Sequence, residues 1–229
     1  MPRPDTGVYV AVLAAALAAP AVARERTLPL DLVWLDPVRL APGAYGVVKV
    51  ESTVVLEGLG AKVSWTEASY GAVLGPESMA VIAVPTHAFL NGDARHIMGA
   101  TRRDILSLPP AVWVYPDQVA WALALDVRAR AFWSPAQRAA FALALARVVS
   151  HEVVHALGVP GHAAHGLMAA TLDRRALTAP EIAIDGATVA AVQQTLDGGA
   201  QEARVPASLP AGGGPALSEG VMARRSPGR

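Results

Sequence analysis

The chain has no cysteine. That excludes disulfides, thiolate zinc sites and a cysteine nucleophile, along with any inhibitory cysteine that could cap a metal. Any metal must be held by nitrogen and oxygen. An excess of one charge is also missing, with 19 Lys and Arg against 19 Asp and Glu. Nothing electrostatic therefore argues for nucleic acid or an anionic membrane as a partner. Aromatic residues are scarce at 5%, and alanine supplies much of the apolar content, which therefore overstates the core. There is no internal repeat. At 229 residues the chain suffices for one domain with tails.

The N-terminus reads as an export signal. Arg3 supplies a basic n-region, Val8 to Ala19 is an apolar run, and Ala21-Val22-Ala23 fits a small-x-small cleavage site. The apolar run is too short to cross a bilayer of roughly 30 Å. The expected organisation is a signal peptide at 1–23, one domain at 24–199 and a disordered, Gly- and Pro-bearing tail at 200–229. The mature chain would then be periplasmic or secreted, with no stable membrane anchor. No later stretch reads as a transmembrane helix.

Within the domain, hydrophobic period and turn residues predict a strand over 28–40 and a helix over 44–59. The expected apolar stripe of that helix is Val47, Val48, Val50, Val54, Val55, Leu56 and Leu59. Strands follow at 61–65, 79–84 and 111–114, with an edge strand at 95–101 and a helix over 118–129. Ser134-Pro135 is a helix start, an N-cap serine with proline at the first helical position. No Gly or Pro interrupts the chain from there to Gly158, which predicts a long helix stopped by Gly158 and Pro160. A last helix is expected over 187–196. The class is α+β.

Four of the six histidines fall between 151 and 165. His151 and His155 are i and i+4, so on a helix they project from one face, the spacing with which two imidazoles grip a tetrahedral metal. Glu152 stands beside the first, placed to touch a metal-activated water without binding the metal. Val153, Val154, Ala156 and Leu157 make this part of the helix apolar nearly all round, and a buried His-Glu-His group is costly unless something satisfies it. A bound zinc would. The sharp turn after Gly158 lets His162 come back toward the same metal, with His165 as the substitute.

These residues resemble the metzincin zinc endopeptidases, whose pattern is HExxHxxGxxH followed by a methionine-containing turn. His151, Glu152, His155 and Gly158 match, whereas His162 falls one position late, with Gly161 where the third histidine would stand. Gly166-Leu167-Met168 is similar to the Met-turn, also as seen in secreted bacterial metzincin-like proteases with HExxHxxGxxGH. The resemblance, which covers about 151–168, implies His151, His155 and His162 as Zn2+ ligands, Glu152 as general base, and Met168 as the Met-turn residue. It also implies a small mixed twisted sheet packed on the long active-site helix, a helix after the Met-turn, and a peptide or protein substrate; a monomer is expected. Alternatives are a non-catalytic zinc-binding scaffold, a thermolysin-like site with Glu181 as third ligand, or hydrolysis of a non-peptide amide.

Overall fold

A computed structural model of the chain describes residues 28–69, 71–86, 97–102 and 110–202. The expected signal peptide, His87, His96 and the chain beyond 202 lie outside these residues. The elements are β1 (Leu28–Leu35), α1 (Tyr45–Glu57), β2 (Ala61–Ala68), β3 (Ser78–Ala83), β4 (Gly99–Arg102), β5 (Ala111–Val114), α2 (Pro116–Ala122), a 3-10 turn (Val127–Phe132), α3 (Pro135–Ala156), α4 (Arg174–Thr178) and α5 (Gly186–Glu202).

The five strands form one mixed sheet in the order β2-β1-β3-β5-β4. Four are parallel; β4 runs antiparallel to β5 and is the last strand among the described residues. Alternation along the strands sends Leu30, Leu32 and Trp34, then Met79, Val81 and Ala83, then Val112 and Val114 into one core. α1 and α3 pack against each other and against the sheet. Each Val, Leu or Phe buried in this way contributes roughly 1.5–3 kcal/mol.

α3 organises the molecule. Ser134 accepts from the Gln137 backbone N–H while the Gln137 side chain accepts from Ser134 N–H, a complete capping box. From Phe141 to Ala156 nearly every residue is buried. By length and hydropathy α3 could cross a membrane, contrary to the sequence expectation, but 78% of its apolar window is buried within the protein, which makes it the helix of a core. Arg147, 3% exposed, donates to the carbonyls of Ala176 and Ala179 and so ties α4 to α3.

Several boundaries differ from the sequence reading. β1 stops at Leu35 because the Asp36 carboxylate accepts from the N–H groups of Leu40 and Ala41 and turns the chain. In α1 the inward face is Val48, Ser52 and Leu56, at i, i+4, i+8; Val50 and Val54 are exposed. The helix expected over 118–129 breaks after Ala122: Ala124 takes a left-handed φ of 56°. Asp126 then caps a separate 3-10 turn through Arg128 N–H. α4 was not anticipated, and α5 runs past 196 into the segment expected to be tail.

Candidate metal centre

His151 and His155 leave the last turns of α3 side by side. The Nδ1 of His151 lies 2.8 Å from the Leu167 carbonyl oxygen, and the Nδ1 of His155 lies 2.6 Å from that of Val159. A carbonyl can only accept, so both neutral rings carry their proton on Nδ1 and present a bare lone pair at Nε2. The two Nε2 atoms are nevertheless 3.0 Å apart, and the Nε2 of His162 stands 3.2 Å from that of His155. Facing lone pairs repel unless a cation sits among them. Tetrahedral ligands at the usual Zn–N length are separated by about 3.3 Å, so the donor set fits zinc in both chemistry and spacing.

The return of His162 depends on backbone geometry. Gly158 adopts φ 110°, which ends the helix at no steric cost. The Val159 carbonyl then turns toward His155. The chain closes on itself again where Ala163 N–H donates to Met168 O at 2.7 Å, and Leu167 N–H donates to Ala183 O at 2.8 Å. Gly166 sits at φ 82° with the Ala183 carbonyl so close that a Cβ would strike it. Leu167 and Met168 are both buried in the core. The direct link from this turn to the histidines is the Leu167 carbonyl.

The three histidines are the group of potential ligands that converges among the described residues. His165 is exposed and outside it. Glu181, weighed as a third ligand, is also outside: it lines a separate cavity with Glu51, Arg147 and Ile184. The segment between α4 and α5 carries it away from the histidines.

Glu152 is 8% exposed. Burial pushes its carboxyl up to about 7, partly offset by a hydrogen bond from the Thr101 hydroxyl. Burial likewise pulls His151 down to about 4, opposed by its bond to Leu167 and reinforced by His155 and His162. His151, Glu152, His155 and His162 open onto a cleft of about 290 Å3 walled by Ile97, Met98, Gly99, Val148 and residues 169–172. Sequence reading gave no role to Gly99 or Thr101, or to the Leu167 and Val159 carbonyls. Residue types carry no signal for a backbone acceptor or for a neighbour from a distant strand.

No protein-family model matches the chain, and no curated protein matches it in sequence. Among solved structures it is similar to archaemetzincin from Methanopyrus kandleri, at 16% identity and a TM-score of 0.49, covering 77% of this chain and 99% of that one. That likeness is too slight to assign a family.

Proposed function

We propose that the chain is an exported, metzincin-like zinc endopeptidase, its mature domain spanning about 24–199 after loss of a signal peptide at 1–23. The observation that carries this reading is the convergence of three imidazole Nε2 atoms at the mouth of a cleft, with a buried carboxyl next to them. His151, His155 and His162 would hold the metal. Three protein ligands leave a tetrahedral ion one position for chemistry, unlike a closed structural site.

Bound zinc supplies Lewis acidity, polarising a scissile carbonyl and lowering the pKa of water to about 7. The chain's own contribution is proton transfer and orientation. Glu152, its carboxyl buried beside the three histidines and lining the cleft, is placed to act as the acid–base group. It takes a proton from the attacking water at a carboxylate oxygen and returns it to the leaving amine nitrogen. The Leu167 and Val159 carbonyls fix two of the imidazole rings and their tautomers. β4 borders the cleft through Gly99 and is the last strand of the described sheet, so its outer edge can pair with an extended peptide.

The test is metal content together with cleavage of a denatured protein by wild type and Glu152→Gln. Near-stoichiometric zinc in both, with cleavage reduced at least about 100-fold in the variant, is expected. Full cleavage by zinc-loaded Glu152→Gln would refute the assignment of the base. A protein that binds zinc, never cleaves peptide and melts on chelation would instead be a zinc-stabilised scaffold.

A further inference from the structure

Glu152 leaves α3 toward β4, where it meets two residues of that strand. Gly99 and Thr101 are two apart and so share one face. At Gly99 the strand passes so near that a Cβ would lie 2.6 Å from Glu152 Cγ, 3.0 Å from Cδ and 2.9 Å from Oε1. What this position requires is the lack of a side chain. The Thr101 hydroxyl lies 2.9 Å from Glu152 Oε2 and 2.7 Å from the backbone carbonyl oxygen of the same residue. One threonine thus grips both ends of the glutamate.

A hydroxyl has one proton and two lone pairs. Toward an ionised carboxyl it donates to Oε2. Toward a carboxyl protonated at Oε1 it still donates to Oε2, which remains an acceptor. The contact therefore holds for either state of the carboxyl without movement of the side chain. Oε1 is the carboxyl oxygen that a Cβ at Gly99 would meet, and Gly99 and Glu152 both line the cleft.

We propose that β4 positions the base, with Gly99 making room for Glu152 and Thr101 anchoring Oε2, so that Oε1 is the oxygen exchanging protons with the reacting groups. Thr101 is a positioning residue and touches no substrate. The kinetic consequence rests on the peptidase reading above; the anchoring of the side chain does not.

The experiment has two arms on the full mature protein. In the first, kcat and KM on a denatured protein are measured for zinc-loaded wild type, Thr101→Val, Thr101→Ser and Gly99→Ala. Thr101→Val is expected to lower kcat roughly 10- to 100-fold, the usual effect of a reacting group displaced by a fraction of an ångström, with KM and zinc content unchanged. Thr101→Ser restores most of the loss. In the second arm the protein carries glutamate labelled with 13C at the side-chain carboxyl, and the Glu152 resonance is assigned by its absence in Glu152→Gln. It should move in Thr101→Val and Gly99→Ala and return in Thr101→Ser. Wild-type kcat in Thr101→Val, or an unmoved resonance, would overturn the proposal. An inactive wild type would count against the peptidase reading alone, and the resonance would then decide the anchor.

Discussion

Gly166→Ala is expected to lower both stability and metal affinity, whereas Gly43→Ala should lower stability alone, and by less. The two glycines share a left-handed backbone, with φ 82° and 76°. For alanine that conformation costs about 1–2 kcal/mol. At Gly43 nothing lies within 4 Å of an added Cβ, so the conformational cost is the whole effect. At Gly166 the Cβ runs into the Ala183 carbonyl, which must retreat. The bond it accepts from Leu167 N–H, 2.8 Å long, is then weakened at a cost of about 0.5–1.5 kcal/mol. With the disturbed packing of buried Leu167 and Met168, the loss comes to about 2–4 kcal/mol. For a domain of this size that lowers the melting temperature by roughly 5–15 °C. The Leu167 carbonyl is also the partner of His151 Nδ1, so zinc affinity should fall about 10- to 100-fold. Thermal melts of the metal-free proteins and competition titration against a chromophoric chelator measure the two effects. If Gly166→Ala melted with Gly43→Ala and bound zinc like wild type, the docking of this turn would not be what orients His151.

His162→Ala should weaken zinc binding at least about 100-fold, while His165→Ala leaves it unchanged; equal losses by the same titration would mean that His162 is not the third ligand. In the metal-free protein two titrations oppose each other. His151, at about 4 when folded and 6.5 when free, makes stability fall as pH drops from 6.5 to 4, because the unfolded chain binds the extra proton. Glu152, at about 7 when folded and 4.5 when free, makes stability fall as pH rises from 4.5 to 7. Between 4.5 and 6.5 they nearly cancel, so Glu152→Gln should expose a slope of about 1.4 kcal/mol per pH unit, measurable by urea unfolding. A slope equal to that of wild type would refute the opposition. Arg147→Ala leaves the Ala176 and Ala179 carbonyls without their buried donor and should cost about 2–4 kcal/mol in the same assay; a loss under about 0.5 kcal/mol would mean that α4 is held by other contacts.

What the sequence determined by itself was local. The pair His151 and His155 with Glu152 between them follows from helical periodicity, and the start of α3 follows from Ser134-Pro135. Its end follows from Gly158, whose φ of 110° few other residues tolerate. β5 matched its expected span because AVWV, bounded by prolines, has few other options. Patterning fared worse where one residue type serves both sides of an element: the valines of α1 are apolar whether they face in or out, and only packing chose Val48 over Val50 and Val54. The 118–129 segment has helical spacing, yet the Asp126 cap competes with helix continuation and wins.

Tertiary structure alone decided how the histidines are held and what touches Glu152. The anchors of His151 and His155 are main-chain carbonyls, which every residue possesses. The partners of Glu152 come from β4, 51 residues away for Thr101, and are brought to α3 only because β4 packs against that helix. A spacing in sequence can align two side chains on one helix. Closing His162 and a strand around them requires the core of Leu32, Val81, Val149 and Met168 to be packed, because only that packing fixes the distance between segments far apart along the chain.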